Sequence, residues 1–147
     1  MSALVQMMAS FFYIGYAPVA SGAFGSLAGA ALAWVFFDYV PVLALLSGGV
    51  GLMICRRATE VFNSNDPKEF VIDEVAGMTV SLLCLPKTPG VFVCAYVIFR
   101  ILDVWKPWPI RALERIKHPT SIIWDDLGAG VITTLLMHGL VAAEIVR

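Results

Sequence analysis

Five apolar stretches, at 23–39, 42–54, 71–85, 91–104 and 122–146, occupy more than half of this chain. With 59% of its 147 residues hydrophobic, the chain has too little polar surface to cover a water-soluble globule of its size. Residence in a bilayer accounts for both observations. It predicts an all-α, polytopic helical membrane protein with about five membrane-embedded helices, folded as a single domain over 1–147. Several stretches fall short of the roughly 20 residues that cross a bilayer upright, so some helices should end on polar residues inside the interface. Pro41, Pro67, Pro86, Pro89, Pro107, Pro109 and Pro119 lie between the stretches and mark the breaks.

If the five segments alternate in direction, Arg56, Arg57, Lys68, Arg100, Lys106, Arg111, Arg115 and Lys117 share one side, leaving only Lys87 and Arg147 on the other. Such an excess of basic residues in short loops identifies the first side as cytoplasmic, with the amino terminus inside and the carboxyl terminus outside. Glu60, Asp66, Glu69, Asp73, Glu74, Asp103, Glu114, Asp125 and Asp126 gather on that same side, against Asp38 and Glu144 opposite. Acids do not orient membrane proteins, so this one-sided polar cap needs another reason.

The amino-terminal segment 1–17 is apolar and aromatic but has no basic flank. That favours an uncleaved interfacial helix over a signal peptide ending at Ala20-Ser21-Gly22. Cys55, Cys84 and Cys94 lack metal-ligand spacing and sit in apolar surroundings, which predicts buried free thiols. Cys94 and Arg100 match the C-x5-R spacing of cysteine phosphatases by chance, because the five residues between them read as apolar helix and not as a phosphate-binding loop. Phe24, Trp105, Trp108 and Trp124 fit an interfacial aromatic belt, and no nucleic-acid partner is expected.

The carboxylates carry more information. Asp73 and Glu74 open the third stretch and Asp125 and Asp126 open the fifth, where a first helical turn favours negative charge. That accounts for one acid per helix, not for adjacent pairs twice. Gly77 follows Asp73 by four residues, and Ala129 and Gly130 follow Asp125 and Asp126 by four, so small residues would let the two helices approach and bring the acidic ends together. Arg100, Asp103 and Lys106 recur every three residues and share a helical face up to Pro107. Five hard oxygen donors with no pair of histidines suit Mg²⁺, and the two cations beside them suit a phosphate. The turn Ala20 to Ser26 opens the first stretch on the same side, where free N–H groups and the Ser26 hydroxyl could hold a phosphate oxygen. Gly25-x-x-x-Gly29 in that segment equally fits a helix-packing face.

Three motifs, Val-Ile-Asp-Glu-x-x-Gly at 71–77, Phe-Arg-x-x-Asp-x-x-Lys-Pro-x-Pro-Ile at 99–110 and Asp-Asp-x-x-Ala-Gly at 125–130, resemble in order those of the phosphatidylglycerophosphatase A family. The likeness runs from about Gly15 to Gly130. It implies an Mg²⁺-dependent enzyme of the bacterial inner membrane that converts phosphatidylglycerophosphate to phosphatidylglycerol. Where that family has Pro-Gly-Thr-x-Gly-Ser, this chain has Ser21-Gly22-Ala23-Phe24-Gly25-Ser26, and Pro119 stands where the family has glycine.

On this reading Asp73, Glu74, Asp103, Asp125 and Asp126 hold the metal, and Asp73, Asp103, Asp126, Arg100 and Lys106 carry catalysis. Gly22, Gly25, Ser26, Arg100, Lys106 and His118 bind substrate, with His118 also a candidate general acid. Membrane phospholipids are the surrounding partners, and the small-residue faces would support a homo-oligomer. A small ion- or proton-coupled transporter with intramembrane carboxylates is the rival, although such sites lie near the midplane at broken helices.

Overall fold

The computed structural model describes residues 2–114 and 118–147. Arg115, Lys117 and the side chain of Glu114, counted above in the polar cap, lie outside that description. All regular elements among the described residues are helical: α1 (Ser2–Ala9), α2 (Ser21–Val35), α3 (Val40–Phe62), α4 (Ile72–Ser81), α5 (Pro89–Trp105), α6 (Ile110–Glu114) and α7 (Ser121–Ala142), with short 3₁₀ turns at Ile14–Tyr16 and Phe37–Tyr39. The five apolar stretches correspond to α2, α3, α4, α5 and α7.

Punctuation follows the expected residues. Pro41 and Pro89 sit in the first turns of α3 and α5, where a missing N–H costs nothing. The Thr88 hydroxyl accepts from Val91 N at 3.3 Å and caps α5. Asn63 closes α3 and Lys106 closes α5, both in the left-handed conformation.

The centre of the molecule is α4. Its ten residues rise only ~15 Å, about half of a ~30 Å hydrocarbon core, and α7, α3 and α2 pack around it. Val75, Ala76, Met78 and Thr79 are almost wholly buried. The apolar stretch 71–85 is therefore a short inner helix followed by a turn through Cys84, at φ 57°, and not a full-length span. Among the described residues one segment, Phe37–Phe62, is long and apolar enough to cross a membrane. Helical architecture agrees with the sequence; of the five apolar stretches, only the one within Phe37–Phe62 is long and apolar enough among the described residues to be a candidate span.

The two ends of the bundle differ as the charge pattern implies. Helices α2, α4 and α7 begin, and α5 ends, at a shared polar cavity. At the far end Lys87 lies 5.2 Å from the Trp34 ring centroid and 5.7 Å from that of Phe37. Near the cavity end Phe24, Trp105, Trp108 and Trp124 are all exposed. Helix α1 packs on α3, and Val71 N donates to Ala9 O at 2.9 Å, tying it to the start of α4. All three cysteines are free, but only Cys55 is buried; Cys94 is half-buried, and Cys84, in the turn after α4, is exposed.

Candidate active site

The close approach predicted for the third and fifth stretches is present, and it is made of backbone. A Cβ added to Gly77 would lie 2.7 Å from the Asp126 carbonyl oxygen and 2.6 Å from the Phe99 ring. One added to Gly130 would meet the Gly77 carbonyl at 2.5 Å. Two bare glycines thus let α4 and α7 touch main chain to main chain, which places the acidic pair of each helix in one cavity.

That cavity encloses about 630 Å³ and is lined by Asp73, Glu74, Asp103, Asp125 and Asp126 together with Arg100, Lys106 and Lys68. Oxygens of Asp73, Glu74 and Asp126 all lie within 4.8 Å of one another. Asp73 is 5% exposed and Asp126 4%. Asp73 Oδ1 accepts from Glu74 N at 3.0 Å, and Asp125 Oδ1 from Asp126 N at 3.1 Å. Asp73 and Glu74 stand in the first turn of α4, as expected. Asp125 and Asp126 do not: α7 starts at Ser121, so they lie one turn inside the helix, beyond the reach of its free N–H groups.

The two cations are already held by acids. Arg100 Nη1 bonds Asp103 Oδ2 at 2.5 Å, and Lys106 Nζ bonds Asp125 Oδ2 at 2.6 Å. Lys106 reaches Asp125 from beyond the end of α5, at φ 46°, so it is the reversal of the chain and not a shared helical face that aims it into the cavity. Among the described residues no ion pair joins Asp73, Glu74 or Asp126, and Glu74 Oε2 is buried with no hydrogen-bond partner. A buried, unpartnered carboxylate oxygen on a side chain clustered with two other carboxylates is costly unless a proton or a metal cation neutralises the group. The three carboxylates form a donor set that fits a divalent ion.

The turn at 20–26 divides between two duties. Gly22 faces the site: a Cβ there would collide with the Glu74 carboxylate and lie 3.3 Å from Arg100 Nη1. Gly25 and Gly29 face α4, where added Cβ atoms would press on Val71 at 2.9 Å and on the Val75 carbonyl at 2.9 Å. Their role in the fold is helix packing. The buried Ser26 hydroxyl donates to Gly22 O at 2.8 Å and accepts from Arg100 Nη1 at 3.3 Å, so it orients the guanidinium from behind the cavity wall. Ser26→Ala should lower kcat/KM about five- to tenfold by loosening one bond to a charged group. Steady-state kinetics on the folded variant would check this, and an unchanged value would remove Ser26 from the site.

His118 is exposed, bonded through Nδ1 to the Thr120 hydroxyl at 2.8 Å, and does not line the cavity. The segment 63–70 between α3 and α4 does. Asn65, Asp66 and Lys68 form part of the wall, and Ser21 Oγ donates to Lys68 O at 2.7 Å. The sequence hint was Lys68 within the one-sided set of cations.

Comparison with known proteins bears on the same residues. The family model for phosphatidylglycerophosphatase A matches residues 7–141. A phosphatidylglycerophosphatase A of Escherichia coli is 34% identical over 140 residues, covering 90% of this chain and 81% of that protein. One from Haemophilus influenzae is 26% identical over 143 residues, covering 92% and 88%. A Bacteroides thetaiotaomicron protein provisionally described as a phosphatidylinositol-3-phosphatase is 28% identical over 148 residues, covering 92% of each. No solved structure matches the chain. With the match running through all three acidic motifs and the helices that join them, the chain belongs to the phosphatidylglycerophosphatase A family and is a phosphatase.

Proposed function

We propose that this chain removes the terminal phosphate of phosphatidylglycerophosphate, giving phosphatidylglycerol in phospholipid biosynthesis, with Mg²⁺ at the site and the cavity facing the cytoplasmic leaflet of a bacterial inner membrane. The observation that carries the metal is the partnerless Glu74 oxygen within the Asp73, Glu74 and Asp126 cluster. Those three carboxylates would hold the ion, with Asp103 and Asp125 joining directly or through water. When bound, the ion neutralises charge and polarises a phosphoryl oxygen.

The rest of the work falls to the protein. Phosphoryl transfer needs little beyond positioning and charge stabilisation. Arg100, fixed by Asp103 and Ser26, presents a planar fork of N–H donors to the phosphate oxygens. Lys106, fixed by Asp125, adds a point charge on the same wall. The bare backbone at Gly22 lets the Glu74 carboxylate and the Arg100 guanidinium pack against the start of α2, and Lys68 supplies a further positive charge in the cavity wall. The grouping of cytoplasm-predicted charges around one cavity supports the leaflet. The family to which the chain belongs favours this reading over ion transport.

The test is phosphate release by detergent-purified protein from phosphatidylglycerophosphate, with phosphatidylinositol-3-phosphate in parallel, first with Mg²⁺ and then with excess chelator. Release from the first lipid that vanishes with chelator is expected. Preference for the second would reassign the headgroup, and release that survives chelation would overturn the metal.

A further inference from the structure

Besides the polar cavity, Arg100 lines a second depression, an open apolar groove of about 470 Å³ whose other walls are Tyr96, Val97, Ile101, Val104 and Trp105. The groove lies on the outer side of α5, because Phe92, Ala95 and Phe99 occupy the side turned to the core. Tyr96 Oη donates to Ala23 O at 3.2 Å and so pins the flank of the groove to the first turn of α2. Above it the stripe continues. Val104, Ile101, Val97 and Val93 follow one another at helical spacing, and all are exposed.

Resting on the phosphatase reading above, we infer that this groove seats an acyl chain of the phospholipid monoester while its phosphate occupies the polar cavity, with Arg100 as the junction between the two. Any lipid-facing helix carries an apolar stripe; this one is singled out by being flanked by a side chain, Arg100, that also lines the acidic site. The dimensions agree. Val93 to Arg100 rises ~10 Å, about two-thirds of the ~15 Å that one leaflet of a ~30 Å hydrocarbon core gives a chain. The chemistry agrees as well, since the groove offers hydrocarbon except at Arg100, where the headgroup begins. A lipid can then present its phosphate past Arg100 to the polar cavity without leaving the bilayer.

The experiment uses the full chain in mixed micelles with Mg²⁺ and a non-hydrolysable diacyl phosphonate analogue of phosphatidylglycerophosphate that carries a photoreactive diazirine midway along one chain. After irradiation, mass spectrometry should place the label on α5 between residues 93 and 104. Excess deacylated phosphonate should suppress it by competing for the headgroup site. Ile101→Trp, which fills the groove, should reduce this label about tenfold, the effect of excluding about two methylenes, and should lower by the same factor the ratio of kcat/KM for diacyl over deacylated substrate. Met53→Trp, at a still more exposed position on α3, should change neither. Label spread over all exposed helices, or centred on the separate apolar pocket walled by Met8, Leu46 and Val50, would overturn the inference. Label at α5 with no turnover of any phospholipid monoester would overturn the catalytic reading while leaving the groove assigned.

Discussion

Asp126→Asn should lower phosphate release about a thousandfold and yet make the metal-free protein more stable than wild type. The two effects have one origin. Asp73, Glu74 and Asp126 bring three carboxylate oxygens within 4.8 Å of one another, and no cation among the described residues is paired to them. At that limiting distance, and an effective dielectric constant of about 20, each charged pair repels by roughly 3 kcal/mol. Removing one charge relieves part of this, so a gain of about 1–3 kcal/mol is expected in chelator. With Mg²⁺ present the order reverses, because the wild type gains the binding free energy of the ion and the variant loses a ligand. Thermal unfolding of both proteins in chelator and in Mg²⁺, beside turnover, would measure all four states. A variant less stable than wild type under both conditions would mean that Asp126 serves the fold and not an ion.

The acids of this cavity were legible in the sequence because each stands against an apolar background that gives it no ordinary reason to be there. Asp73-Glu74 and Asp125-Asp126, each with a small residue one turn on, foretold both the cluster and the helix contact that builds it. The sharing-out of partners was not legible. Spacing put Arg100, Asp103 and Lys106 on one face, whereas α5 stops at Trp105 and the reversed backbone at Lys106 sends its side chain to Asp125 on another helix. Serine 26 read as a phosphate donor; its hydroxyl proton goes to Gly22 O, as an intrahelical serine commonly arranges, and only its lone pair serves Arg100. The contribution of the 63–70 loop rests on a bond between the Ser21 hydroxyl and a main-chain carbonyl 47 residues away, and a carbonyl has no side-chain signature. The length of α4 was hidden for a related reason. Hydrophobicity marks 71–85 as buried but does not distinguish burial in lipid from burial among α2, α3 and α7.

The glycine contact between α4 and α7 carries the second large effect. Gly77→Ala should destabilise the protein by about 1–3 kcal/mol, the usual result of forcing a methyl group into a filled core, and should lower turnover more than the folded fraction falls. Helix propensity alone predicts the opposite, since alanine is favoured over glycine inside a helix by about 1 kcal/mol. Space decides between them. At Gly77 the new carbon would sit 2.7 Å from the Asp126 carbonyl oxygen and 2.6 Å from the Phe99 ring, and a main-chain carbonyl has no rotamer by which to retreat. Relief comes only by moving α7 outward, and the segment that moves carries Asp126. The control is Gly139 on the same helix, where nothing lies within 4 Å of an added Cβ; there Gly139→Ala should be neutral or stabilising by up to about 1 kcal/mol. Thermal unfolding of the pair, with activity normalised to folded protein, separates packing from propensity. If both variants gain stability, α4 and α7 do not meet main chain to main chain, and the acidic pairs must be brought together by some other contact.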